Sequence, residues 1–174
     1  SSTSAVFDSA DVTTATTVTI SGISLSDGTN GGLATNYSVA STEDVSASIT
    51  AKSLTLSSTV SSKTYNGDTS ATVSSYGLSG FVGSETVSAS STSAVFNSAD
   101  VTSATTVTIS GISLSDGTNG GLASNYSVAS SEDVSASIIA KSLTLSSTVS
   151  SKTYNGDTSA TVSSYGLSGF VGIE

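Results

Sequence analysis

Hydrophobic residues recur at every second position in short runs along this chain, the period of a β-strand with one buried face. In Ser53–Ser58, SLTLSS, Leu54 and Leu56 share one face and hydroxyl residues occupy the other. In Thr105–Leu114, TTVTISGISL, Val107 and Ile109 alternate with Thr; Gly111 interrupts, and Ile112 and Leu114 resume out of phase. A phase shift at a glycine predicts a bulge or bend. Tyr126, Val128, Val134, Ala136 and Ile138 continue the alternation. Thr favours strands and Ser is poor inside helices, so a helical reading is weak.

Turn residues separate the runs. Asn66-Gly67 predicts a tight hairpin with positive φ at both positions of a type I′ turn. Asp116–Gly121, DGTNGG, predicts a longer loop, and Tyr76-Gly77 and Val82-Gly83 mark further bends. Short strands at about ten-residue spacing predict an all-β fold of small antiparallel β-sandwiches, Ig-like or related.

The pattern repeats. SSTSAVFDSADV at Ser1 returns as SSTSAVFNSADV at Ser90, an offset of 89 residues. Aligning 1–85 with 90–174 leaves 79 of 85 positions identical. The differences are Asp8/Asn97, Thr14/Ser103, Thr35/Ser124, Thr42/Ser131, Thr50/Ile139 and Ser84/Ile173. Solenoid and hairpin repeats have periods of roughly 20–50 residues, whereas this unit approaches the size of a small domain. The expected organisation is an extended array of tandem modules: 1–50 as the back part of one, 51–139 as a complete one and 140–174 as the front part of the next. A rival phasing, 1–85 and 90–174, stays open. The expectation is of a window from a longer array, with neighbours coupled through junctions such as Ser137–Ser142.

Composition narrows the chemistry. Cys, His, Arg, Gln, Met, Trp and Pro are absent, and 72 of 174 residues are Ser or Thr. Thiol chemistry is excluded, and the usual neutral-pH base and metal ligand is missing. The net charge is −9, and the only cations besides the N-terminus are Lys52, Lys63, Lys141 and Lys152. Four scattered lysines form no basic patch, so nucleic acid is not an expected partner. No apolar run is long enough to span a membrane, and no signal-peptide pattern opens these residues.

Lys63-Thr64-Tyr65-Asn66-Gly67-Asp68-Thr69, followed by Ala71-Thr72-Val73, resembles the K-x-Y-D-G-T-T-A motif of the YDG and MBG repeat domains. Ala51–Leu56 is similar to that family's module start, Tyr76–Gly80 to its centre, and Thr106–Leu114 with Asn125–Val128 to its closing half. One departure is Asn66, where the family usually has Asp. The resemblance implies a module of large secreted bacterial adhesins, haemagglutinin-like surface proteins, with no catalytic residues to carry over.

Candidate sites are few. Glu132-Asp133, repeated as Glu43-Asp44, is the one adjacent acidic pair, and a solvated turn is the expectation there rather than a Ca²⁺ site. Asp116–Gly121 offers carbonyls and one carboxylate, and reads as a Gly-rich loop. Asn36-Tyr37-Ser38 and Asn125-Tyr126-Ser127 fit the N-glycosylation pattern. Lys52 or Lys63 could form an isopeptide bond to Asn. Flat Thr arrays for ice binding need a short coil repeat, which is missing here. No catalytic, cofactor-binding or metal residue is expected, and no enzyme activity.

The sequence thus suggests a structural repeat of an extracellular, cell-surface bacterial stalk, filament or biofilm fibre. Its partners would be further copies of the same repeat, joined end to end by strand complementation. The alternative is an adhesive module that recognises a glycan or surface protein through Tyr65, Tyr76 and Tyr126. Exposure of all three on one face would favour binding, and burial would favour the spacer.

Overall fold

The computed structural model describes residues 1–172; Ile173 and Glu174, the last two positions of the 140–174 segment, lie outside the described residues. The fold is all-β and is built from several small sheets. β1 (Ser4–Phe7), β2 (Thr17–Ser21) and β3 (Thr42–Ser46) form an antiparallel sheet in that order. The next stretch carries β4 (Lys52–Ser53), β5 (Thr55–Val60), β6 (Lys63–Thr64), β7 (Val73–Ser79) and β8 (Val87–Ser90). It continues with β9 (Ser93–Phe96), β10 (Thr106–Ser110), β11 (Ser113–Asp116), β12 (Tyr126–Ser127), β13 (Ser131–Ser135) and β14 (Ile138–Ile139). β15 (Thr144–Ser150) and β16 (Thr161–Ser168) close the described chain as an antiparallel pair. Two short 3-10 turns, Ala34–Asn36 and Ala123–Asn125, are the only helical elements among the described residues.

Copies 89 residues apart adopt the same local structure where their partners are local. β1-β2-β3 matches β9-β10-β13 in order and register. The Asp8/Asn97 difference leaves this arrangement unchanged. Asp8 Oδ1 accepts the Thr16 and Thr17 amides at 3.0 and 3.2 Å, and Asn97 Oδ1 accepts those of Thr105 and Thr106 at the same distances. The Thr17 amide, followed by that of Thr16, holds the Asp8 carboxyl below its ordinary range.

The alternating pattern sets which side chains are inside. In β10, Val107 and Ile109 are fully buried and Thr108 is exposed. Leu54, Leu56 and Ser58 form one inward-facing row, with Leu54 and Ser58 buried. Gly111 takes φ +65° between β10 and β11, which belong to different sheets. A Cβ there would lie 2.0 Å from Thr92 Oγ1, so only glycine allows this bend.

Two expectations are corrected. The pairing is not wholly antiparallel: β4 runs parallel to β12, and β6 runs parallel to β14. Asn66-Gly67 is not a type I′ hairpin either. Only Gly67 has positive φ, and β6 pairs with β14 instead of with the strand that follows. The paired positive φ values fall at Asn119-Gly120 and Asn30-Gly31, where the Gly121 and Gly32 amides donate back to the Thr118 and Thr29 carbonyls. A dipeptide's turn preference yields to the partner that its flanking strand finds.

The chain divides into two compact units. The first contains Ser1–Ser57, Tyr76–Ser90 and Ile112–Ser130. Its core is Leu54, Val87 and Tyr126, packed by Leu78, Phe81 and Leu114. The second contains Ser58–Ser75, Ser91–Gly111 and the described chain from Ser131 on, and buries Phe96, Ala104, Val107, Ile109 and Ile138.

Candidate functional site: the Tyr126 socket

The most elaborate polar arrangement in the first unit surrounds Tyr126. β12 places this residue beside Lys52 of β4, and the Leu54 amide donates to the Ser127 carbonyl at 2.8 Å. Its ring meets Phe81 edge-on, with centroids 5.8 Å apart at 80°. Its hydroxyl donates to Glu85 Oε2 at 2.6 Å and accepts the Val82 amide at 3.0 Å. The Glu85 carboxylate stabilises the protonated phenol and pushes its pKa up. The preceding Asn125 reaches into the 1–50 segment: its Oδ1 accepts the Val12 amide at 2.8 Å and its Nδ2 donates to Asp11 Oδ1 at 2.8 Å. Asn125 and Tyr126 thus act as a plug, and Asp11, Val12, Lys52, Phe81 and Val82 form its socket.

The three candidate tyrosines do not form an exposed aromatic face. Tyr126 is 5% exposed, and Tyr65 and Tyr76 are half-buried. The same residues in the flanking copies are open: Tyr37 is 71% exposed, and Tyr154 and Tyr165 are more so. Near-identical local sequence therefore leaves burial undecided, and the opposing segment decides it.

Glu132 and Asp133 lie within β13 instead of in a turn, and neighbours on a strand point to opposite faces. Glu132 clamps the buried Ser58 amide with Oε1 at 3.3 Å and Oε2 at 3.1 Å, while Asp133 accepts the Thr108 hydroxyl at 2.7 Å. Asp44 accepts Thr19 in the same way. These pairs cannot converge on one ion, and no cluster of three or more metal-ligating side chains occurs among the described residues.

The Asp116–Gly121 loop is structural. Asp116 Oδ1 accepts the Ala123 amide at 2.7 Å and Asn119 Nδ2 donates to the Ser84 carbonyl at 2.9 Å. Gly117 and Gly121 admit the Thr86 backbone so closely that a Cβ on either would sit 2.0 Å from its carbonyl oxygen. Of the two Asn-Tyr-Ser sites, Asn36 is exposed, whereas the Asn125 amide group is engaged in the socket.

In the second unit, Lys63 pairs with Asp68 at 2.5 Å and lies 5.9 Å from the centroid of the Phe96 ring. Asp68 also accepts the Ser70 amide and hydroxyl, and the Asn66 side chain donates to it. The Lys63 hydrogen bond, then those of Ser70, hold this carboxyl far below the usual carboxylate range. Lys152 and Asp157 repeat the pair, with Asp157 brought down to about 2. Lys63 therefore faces a carboxylate and not the Asn expected for an isopeptide bond. The sequence placed Asp68 in the Lys63–Thr69 motif without assigning it a partner, and did not single out Glu85. The signal that could have found Glu85 is a lone acid between Phe81-Val82 and Val87, opposite a tyrosine whose hydroxyl needs a partner.

A YDG domain is found at residues 50–134. It spans the Lys63–Val73 motif and most of the strands that assemble the Tyr126 socket. No curated protein and no solved structure matches the chain.

Proposed function

We propose that this chain is a structural repeat of an extracellular bacterial adhesin stalk or filament, built of tandem β-sandwich modules joined end to end. The observation that carries this reading is the behaviour of the tyrosines. Tyr126 is buried and Tyr65 and Tyr76 are half-buried, which supports a spacer over a module with three exposed recognition tyrosines. Near-identity of the copies suits a part whose role is length. Abundant hydroxyls and a charge of −9 keep such an array hydrated. In this reading no side chain performs catalysis, and the partners are further copies of the repeat. Among the described residues no helix is long and apolar enough to cross a membrane.

Electron microscopy of the native material tests the proposal. Strands of about ten residues rising about 3.3 Å each imply a bead roughly 30–45 Å long. A thin filament with that axial repeat is the expected result. Discrete particles without an axial repeat would sink it and favour the alternative, an adhesive module for a surface glycan or protein, to be followed by a glycan screen.

A further inference from the structure

Asn125 makes a contact that one copy of the repeat cannot contain. Its partners Val12 and Asp11 lie 113 and 114 residues away, and the period is 89 residues. No division of the chain therefore puts both sides of this contact in the same copy. The same turn recurs nearer in sequence, at Asp100-Val101, but it belongs to the second unit, whereas Asp11, Val12 and Asn125 all belong to the first. Asn36, which stands in its own copy as Asn125 does in the next, is exposed, and the Asp11 carboxylate meets Asn125 instead.

We propose that the Asp11-Val12 turn is a docking site for the Asn-Tyr segment of the following copy of the repeat, and that this latch makes successive copies fold as one interlocked unit instead of as separate beads. The inference goes beyond the array reading and stands without it, because both partners are present in this chain.

Each side of the latch is shaped by its own neighbours. The Asp11 amide donates to Ser9 Oγ at 3.0 Å, and the Asp11 carbonyl accepts the Thr14 and Ala15 amides at 3.1 and 2.8 Å. These bonds close the turn, and the Val12 amide and Asp11 carboxylate are the groups that Asn125 takes up. On the other side, Asp116 accepts the Ala123 amide at 2.7 Å and the Leu122 carbonyl accepts the Asn125 amide at 3.0 Å, which fixes the 3-10 turn. An Asn side chain carries an acceptor and donors on one planar amide, matching an N–H group beside a carboxylate. A carboxylate in its place would face Asp11 with like charge and without a donor. Tyr126 follows directly and is buried with Leu54 and Val87, so the latch is anchored in the core of the unit. The 1–50 segment is held again where it ends, because β4 pairs with Tyr126–Ser127.

The test uses the whole chain and exchanges the polarity of the latch. Asn125→Asp removes the donor that meets Asp11, and Asp11→Asn supplies a new one from the other side. In urea unfolding at pH 7, Asn125→Asp should raise the unfolding constant at least about 10-fold, as expected for losing a bond to a charged group. Adding Asp11→Asn should bring it back to within about 3-fold of the unaltered chain. Asp100→Asn changes the net charge equally in the equivalent turn and should restore nothing. A purely local role for Asn125 would not respond to a substitution 114 residues away.

Hydrogen exchange of the unaltered chain gives a second reading that needs no variant. The β2 amides, Thr17–Ser21, and the Leu54 amide, which donates to Ser127 at 2.8 Å, should open together in mild urea, with opening constants within about 3-fold. A neutral Asn125→Asp, no rescue by Asp11→Asn, equal rescue by Asp100→Asn, or a β1-β2-β3 sheet that opens separately from Leu54 overturns the latch. The filament repeat judges the array reading separately: separate beads still build a filament, and the latch within this chain persists without one.

Discussion

Removing a single oxygen from Tyr126 separates the opposing-segment argument from any argument based on local sequence. Tyr126→Phe keeps the ring against Phe81 and deletes the hydroxyl that bridges the Val82 amide and Glu85. Two hydrogen bonds are lost, one of them to a carboxylate, and two polar groups in a part-buried site are left without this partner. A bond to a charged group contributes about 1.5–3 kcal/mol, and a stranded buried donor costs about 1–3 kcal/mol. The exposed side of Glu85 recovers part of this through water, so a net loss of about 2 kcal/mol is expected. For a chain of 174 residues that lowers the melting temperature by about 4–8 °C. Tyr37→Phe is the internal control. Its ring is 71% exposed, so the change should stay within about 0.5 kcal/mol. Urea unfolding followed by circular dichroism at dilute, monomeric concentration reads both variants. Equal effects at the two positions, or a Tyr126→Phe loss below about 0.5 kcal/mol, would refute the claim that the opposing segment, and not the local sequence, makes the site.

Three further outcomes follow from the same contacts. Gly121→Ala should destabilise by about 1–3 kcal/mol in a thermal melt because its Cβ would meet the Thr86 carbonyl oxygen at 2.0 Å, while Gly32→Ala, with its nearest neighbour at 3.5 Å, should be close to neutral. Ser58 Oγ is the buried side-chain polar atom without a partner among the described residues, so Ser58→Ala should raise stability by about 0.5–1 kcal/mol and Ser147→Ala should do nothing; a loss at Ser58 would show that the hydroxyl is satisfied. The raised pKa of Tyr126 means that the folded state holds its proton longer than the unfolded chain. That contribution is complete below about pH 10, the unfolded value, and fades as pH rises through the folded pKa. Absorbance titration at 295 nm should therefore show one of the six tyrosines ionising late, and Tyr126→Phe should remove the lagging phase.

Much of the local architecture was legible in the chain. Val107 and Ile109 alternate with Thr, and they are the two fully buried large side chains of β10. Gly111, read as a bend, is one, because no side chain fits beside Thr92. The copies offset by 89 residues carry equal sheets, β1-β2-β3 and β9-β10-β13. Asn66-Gly67 misled because the hairpin rule assumes that the next strand is the partner. Lys63–Thr64 instead pairs in parallel with Ile138–Ile139, about 75 residues away.

Sequence alone therefore determined most of the longer β segments, which side chains face inward within them, and where the chain bends at Gly111. These properties depend on alternation, β-propensity and steric limits at single residues, all of which lie within a few positions of one another. Only tertiary structure decided which of two near-identical tyrosines is buried, whether Lys-Ser becomes a strand, and whether a glycine is crowded. Tyr126 and Tyr37, Lys52–Ser53 and Lys141–Ser142, and Gly121 and Gly32 are locally the same and end differently. The physical reason is that burial and strand pairing are completed by residues distant in sequence, so identical words acquire different structures according to what stands opposite them.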